Sequence, residues 1–414
     1  MIQICEVDGT LRVTGTMPRR YERSPYPSFL IVWPLTIFLI LTLAAQTSQG
    51  QTVKVLYAFR GGIDGSYPSG DLAKDVLGNV YGTTEDGGDS SCSLYGCGTV
   101  FEVSADGRER IRHSFEGFDG SVPISGLIRD ALGNLYGTTY AGGDFNRGTI
   151  FEISVTGTAT VLHSFSGPDW MSPIGGLVHD SLGNLYGTTF AGGNGFGTVF
   201  RLNADRTFET LYTFNGSDGS EPEATLTIDS FGNLFGTTTG GGTAGRGTVF
   251  KIDQAGSYTI LHNFKGIDGR SPSGSLIEDA AGNLFGTSRE GGDFSCDPPK
   301  GCGTVFEIRS NGKGKRLHVF TSQGDGSHSL SGLTRDSDGN LYGTTSQGGA
   351  FSAGAIFKLD KTGAETILHS FTGGIDGGTP YGNLLLDSAG SLFGTTQRGG
   401  DDSCNCGTVF EITP

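Results

Sequence analysis

A stretch typified by Gly183-Asn184-Leu185-Tyr186-Gly187-Thr188-Thr189 occurs seven times in this chain. Its opening glycine falls at Gly78, Gly133, Gly183, Gly232, Gly282, Gly339 and Gly390, at intervals of 55, 50, 49, 50, 57 and 51 residues. A period of this size specifies a repeat architecture, in which each unit buries its apolar faces only against its neighbours. The repeats run from about residue 53 to residue 414 without a linker, so 414 residues here do not mean two or three ordinary domains. Gly is 72 of 414, a frequency that could signal low complexity. The glycines instead fall at fixed places beside apolar, strand-like runs, which is the pattern of a folded chain.

Residues 124–165 show one unit. Gly126 to Asp130 is a short apolar run, and Asp130-Ala131-Leu132-Gly133 has Asp and Gly where a type I turn wants them. Leu135 to Thr139 is aromatic and β-branched and reads as a second strand. A Gly-Gly loop follows, then a third strand over Gly148–Ile153 and a fourth over Ala159–Phe165. Val161 and Phe165 are expected on one face and Leu162 on the other, as a sheet sandwiched between two neighbours requires. Four short strands per period of about 50 residues predict an all-β chain, a β-propeller with four-stranded blades. The last repeat stops after its third strand, Gly407–Ile412, and an orphan copy of the fourth strand, Val53–Phe59, precedes the first repeat. Pairing the two closes a ring of seven blades and covers two strand edges at once. The fourth strand is then outermost. The Gly-Gly loops and the inter-blade loops share one face, and the tight Asp-x-x-Gly turns lie on the other. The longer, more variable loops make the first face the expected functional one.

The repeat resembles the GloVer tandem repeat of exported bacterial "choice-of-anchor" proteins. The residues that carry the resemblance are Gly183–Thr189, Gly192-Gly193 and Gly197–Leu202, and it extends over essentially all of residues 53–414. The resemblance implies export and a repeat fold, and it implies no activity. The Gly-Gly doublets are also similar to Kelch blades, which want a patterned Trp that only Trp170 offers here. The Asp-x-x-Gly-Asn-Leu-Tyr run is similar to NHL and lactonase-like propellers, which keeps an enzyme in view by analogy of fold alone.

Residues 1–50 read as an export signal. Arg19, Arg20 and Arg23 precede the uncharged run Phe29–Ala45, and Ser48-Gln49-Gly50 suits cleavage before Gln51. Starting at Met17 would give a signal of ordinary length. The alternative is an uncleaved anchor, for which the run is short and interrupted by Pro34. No other run could cross a membrane. The expected destination is secreted or periplasmic. The net charge is −15, residues 1–50 contribute +1, and no basic stripe interrupts the remainder. Nucleic acid and anionic membrane surfaces are therefore excluded as partners, while a glycan or a cell-envelope protein remains open. A monomer is expected.

Six cysteines pair as Cys92/Cys97, Cys296/Cys302 and Cys404/Cys406, all in the Gly-Gly loop, in repeats one, five and seven. Export and paired spacing predict local disulfides that stiffen protruding loops. Zinc held by these loops and bridges between blades are the rival readings, and Cys404-Asn405-Cys406 would close a tight ring. The inter-blade loops carry Asp64, Asp119, Asp169, Asp218, Asp268, Asp325 and Asp376. One reading is a ring of carboxylates that binds Ca²⁺. The other is a turn in which Asp bonds its own backbone and the following Gly takes positive φ. Asp75, Asp130 and their counterparts read as turn caps. His113, His163, His262, His318 and His369 share one fourth-strand position with Tyr57 and Tyr212, which suggests packed aromatics with polar tips more than ligands. His179 and His328 break the pattern, and Arg129, Glu278 and Arg335 share the strand position of His179. No Ser-His-Asp set, phosphate loop or His-rich metal motif is present. The expected function is a non-catalytic exported propeller that binds a glycan or cell-envelope partner through its loop-rich face, with no cofactor. A hydrolase or lyase acting at the channel mouth is the alternative, and a purely structural module is the third reading.

Overall fold

The computed structural model describes residues 6–7, 10–11 and 53–413, apart from 90–91, 93–94, 168–171 and 402. The expected export segment and Asp169 lie outside the described residues. The chain divides into two units, residues 1–49 and 50–414. In the first, Glu6–Val7 pairs antiparallel with Thr10–Leu11. The second is a seven-bladed β-propeller, and in six of its antiparallel sheets the strands run in chain order from innermost to outermost.

Blade 2 is representative: Ile128–Arg129, Leu135–Thr139, Thr149–Ile153 and Ala159–Ser164. Blade 7 joins Leu385–Leu386, Leu392–Arg398 and Thr408–Ile412 to the N-terminal strand Lys54–Ala58. Val55 lies opposite Phe410 and Ala58 opposite Thr408, so the ring closes as the out-of-phase ends require. Blades 1 and 7 gain a further short strand, Ser66–Pro68 and Gly378–Pro380, paired with the far end of the second strand. Blades 2, 4, 5 and 6 mark the same place with single bridges such as Ser121–Ala141.

The repeated residues divide the scaffold work among them. The turn aspartate is the anchor: Asp130 Oδ1 accepts the Asn134 N–H at 2.8 Å, and Oδ2 accepts Asn134 Nδ2 at 2.9 Å and the Tyr136 hydroxyl at 3.2 Å. This explains why Asn and Tyr follow the turn, and the same bonds recur at Asp75, Asp180 and Asp336. These bonds to the ionised carboxylate hold the four aspartates below the usual carboxylate range, against the opposing effect of burial. The strand-two glycine makes room for a ring. A Cβ on Gly187 would lie 2.5 Å from Phe200 Cζ, and Phe200 is fully buried. The closing threonine bonds across to the third strand, as in Thr139 Oγ1 to Thr149 Oγ1 at 2.9 Å.

Blades are joined by aromatic rings. The Phe after each outer strand packs edge-on against the third-strand Phe of the next blade, from Phe59–Phe101 at 5.0 Å through Phe165–Phe200 at 5.4 Å to Phe371–Phe410 at 5.3 Å. Such pairs add about 0.5–1.5 kcal/mol beyond the area they bury. One feature departs from the simple alternation expected of the fourth strand. Ile150 faces His163 but Phe151 faces Val161, so Leu162 is an extra residue in a β-bulge. The bulge recurs in the other blades, including the closing pair between Val55 and Tyr57.

Candidate ligand-binding face

Among the described residues the inter-blade aspartates do not converge. Each described one is tied within its own junction. Asp119 Oδ1 accepts the Glu116 N–H at 2.8 Å, and its Oδ2 lies 2.7 Å from His113 Nε2. Asp218 accepts the Asn215 N–H and the Tyr212 hydroxyl, and Asp64 accepts the Arg60 N–H and the Tyr57 hydroxyl at 2.6 Å. Asp268 and Asp376 pair with His262 and His369 at 3.0 Å in the same way, while Asp325 stands 3.6 Å from His318 and is held by the Thr321 N–H instead. The glycine that follows takes positive φ, as at Gly120 and Gly269. The geometry is that of the turn reading, with an aromatic partner from the outer strand that the sequence pattern had not linked to it.

Beyond each aspartate the chain adopts a strained conformation at one fixed position. Tyr67, Val122, Ser172, Glu221, Ser271, His328 and Thr379 all have φ between 50° and 63°. A left-handed backbone costs a non-glycine residue about 1–3 kcal/mol, more so before proline, and it persists only where its surroundings hold it. Here the residue's N–H is bonded to the preceding blade: Glu221 N donates to Phe196 O at 2.9 Å, and Val122 N to Cys97 O at 2.9 Å. Its carbonyl accepts from its own blade, as Glu221 O does from Thr239 N at 3.1 Å. The next residue, usually Pro, packs on the glycine that opens the preceding blade's third strand. A Cβ on Gly197 would lie 2.4 Å from Pro222 Cδ. The result is a rigid ring around the channel mouth that carries a different side chain in most blades.

The disulfides brace this ring. Cys92–Cys97, Cys296–Cys302 and Cys404–Cys406 each close within one Gly-Gly loop, with Cα separations of 5.4, 5.8 and 5.2 Å. The second cysteine of each pair is buried, and its carbonyl receives the N–H of a strained residue: Cys97 from Val122, Cys302 from His328, Cys406 from Tyr67. The blade 5 loop also places Asp297 Oδ2 3.2 Å from His328 Nε2, which gives that pattern-breaking histidine a partner. Burial holds the His328 imidazole below its ordinary value, with Asp297 opposing.

At the mouth, Glu223 is pushed up to about 7 by burial, with Arg289 opposing and Glu221 adding to the rise. Tyr381 is raised by burial and by the nearby charges of Glu223 and Glu85. Glu223 and Tyr381 both line a channel cavity of about 60 Å³ whose other walls are mainly small residues such as Gly70, Gly126, Gly175 and Gly274. A polar cross-link spans it. Half-buried Asp71 accepts the Asn383 N–H at 2.7 Å and Nδ2 at 2.8 Å, and Asn383 Nδ2 also reaches Ser275 Oγ at 2.6 Å. On this face the Gly-Gly loops raise exposed aromatics: Tyr95, Phe145, Phe196, Phe294 and Phe351, with Phe118 from an inter-blade loop and Tyr140 at the end of a second strand.

The other face is not bare. His179 lies there, with Arg201, in a cavity of about 600 Å³ between blades 3 and 4, and its Nδ1 is 3.1 Å from Asp180 O. Leu77, Leu132, Leu182 and Phe231 stand exposed on the tight turns of four consecutive blades.

Successive matches to the model of the Gloeobacter/Verrucomicrobia repeat cover residues 42–182, 155–297 and 294–414. Among curated proteins none matches the sequence. Solved structures share the fold at low identity. Virginiamycin B lyase from Staphylococcus aureus superposes with a TM-score of 0.58 at 14% identity, over 84% of this chain and 95% of that one. The extracellular domain of a hybrid two-component system protein from B. thetaiotaomicron gives 0.56 at 14% identity, over 88% of this chain and 41% of the other.

Proposed function

The chain belongs to the Gloeobacter/Verrucomicrobia repeat family, and on that footing we propose that it is an exported propeller that binds a carbohydrate on its loop-rich face. One observation carries the reading: exposed aromatic side chains stand on the Gly-Gly loops of blades 1, 2, 3, 5 and 6, on the face whose channel mouth holds Glu85, Glu221 and Glu223. An aromatic ring offers an apolar plane to the C–H face of a sugar, and carboxylates accept from its hydroxyls. The rigid ring of strained residues fixes these groups in advance, which lowers the entropic cost of binding. Three disulfides suit an oxidising compartment, and no helix among the described residues is long and apolar enough to cross a membrane. A panel of neutral and amino-sugar oligosaccharides, followed by calorimetry, tests the reading. Phe145→Ala with Phe351→Ala should weaken binding at least about tenfold, since stacked aromatics dominate such contacts. Unchanged affinity in that variant would overturn it.

A second reading rests on Glu223. A carboxyl that titrates near neutrality in a cleft, beside Arg289 and Tyr381, is suited to general acid–base chemistry, which supports a hydrolase or lyase at the channel mouth. Turnover of a chromogenic glycoside or uronide that Glu223→Gln abolishes would favour this over pure binding.

A further inference from the structure

Among the described residues, one junction on the outer rim is unlike the others. His318 is on the outermost strand of blade 5, Asp325 is in the loop that follows, and Glu365 opens the outermost strand of blade 6. At three other junctions the histidine and aspartate form an ordinary hydrogen bond: His113–Asp119 at 2.7 Å, His262–Asp268 at 3.0 Å and His369–Asp376 at 3.0 Å. At this one, His318 Nε2 stands 3.6 Å from Asp325 Oδ2 and 3.4 Å from Glu365 Oε1. Neither contact is a hydrogen bond. His318 Nε2 and Glu365 Oε1 are shielded from solvent and lack any hydrogen-bond partner.

Those separations have a simple meaning for a metal ion. Ligand atoms at about 2.0–2.2 Å from a tetrahedral ion lie roughly 3.3–3.6 Å from one another. All three ligand atoms fall within 4.8 Å of one another, and among the described residues no other group of three or more His, Cys, Asp or Glu has this geometry. Asp325 is held in place by the Thr321 N–H at 2.8 Å and the Thr321 hydroxyl at 3.0 Å. The corresponding neighbour at other junctions is not a ligand. Phe208 stacks on His163 at 4.1 Å and Tyr258 on Tyr212 at 4.0 Å. Glu109 holds the same register as Glu365, but it faces Tyr57, whose hydroxyl is already given to Asp64.

We propose that His318, Asp325 and Glu365 bind a divalent first-row metal ion, with Zn²⁺ the best match and water in the fourth position. A neutral imidazole and two carboxylates carry −2, which the ion neutralises. The nitrogen ligand selects against Ca²⁺, which takes oxygen. The ligands come from two blades, so the ion staples blade 5 to blade 6.

The full chain, stripped with EDTA and dialysed, is titrated with ZnCl₂ by calorimetry and with Co²⁺ by visible absorption. The expected result is one equivalent bound, with the affinity lowered at least about tenfold in both Glu365→Gln and His318→Ala. His369→Ala and Glu109→Gln should bind as the parent does. Zn²⁺ should also raise the Tm of the parent and leave that of Glu365→Gln unchanged. A parent that binds less than one equivalent, or a Glu365→Gln variant that binds as the parent does, overturns the proposal. Should His318→Ala fail to fold, the near-isosteric Glu365→Gln decides alone.

Discussion

Gly137 lies directly opposite Phe151 on the neighbouring strand, and the phenyl ring fills the space that a side chain at 137 would need. A Cβ there would meet Phe151 Cζ at 2.7 Å and Leu127 Cδ2 at 2.9 Å. Gly137→Ala is therefore expected to cost about 1–3 kcal/mol, the usual penalty for overpacking a filled core. Urea denaturation measures it. In a Phe151→Ala background the penalty should largely vanish, and an undiminished penalty would refute the relationship.

Blade 6 lacks one bond that the other blades make. Ala355 stands where Thr149 and Thr248 stand elsewhere, and Thr345 Oγ1 is left buried without a hydrogen-bond partner. Ala355→Thr should restore the pair seen at Thr238–Thr248, 2.9 Å, and stabilise the protein by about 1 kcal/mol. Calorimetry would show a raised Tm. A lowered one would mean that the site cannot take the extra atoms.

Ring closure depends on Phe59, fully buried where blade 7 meets blade 1 and 5.0 Å from the Phe101 ring. Phe59→Ala should cost roughly 3–5 kcal/mol. Limited proteolysis should then cut first within blade 7, because the strand Lys54–Ala58 is held there by pairing with Thr408–Ile412. First cleavage in blade 3 or 4 would contradict a latch at this position.

The acidity of Glu109 gives stability a pH dependence. Burial, with the charge of Asp64, raises this carboxyl from 4.5 to about 7. Between those values the folded protein keeps a proton that the unfolded chain releases, so stability falls as pH rises. The contribution is fully present below about 4.5 and lost above about 7. In EDTA, Tm should decline from pH 5 to pH 8, and Glu109→Gln should flatten the decline. A variant with the parent's slope would remove Glu109 as its source.

Much of this fold is legible in the sequence, because the features that set it are periodic. The spacing from Gly78 to Gly390 counts the blades, and the orphan run Val53–Phe59 announces the closure. What escaped depends on contacts between units. The strained backbone at Glu221 is set by a carbonyl of the previous blade, and nothing in Glu-Pro signals positive φ. The bulge at Leu162 arises from register, which composition does not record. The His–Asp pairs join residues six or seven apart, close enough to notice, but the repetition that made each look like scaffold hid the junction at His318 where the pattern opens.

The pairing of Lys54–Ala58 with Thr408–Ile412 also bears on how the molecule comes into being. The first strand of the propeller to leave the ribosome has no in-sheet neighbour until residue 412 has followed it. Throughout synthesis that strand must wait with its hydrogen bonds unmade, while six complete blades assemble in sequence behind it. A nascent propeller of this kind is an open arc with two sticky ends, and nearby copies could join end to end. The long-range latch that completes the finished ring thus makes its last moments of assembly the most exposed.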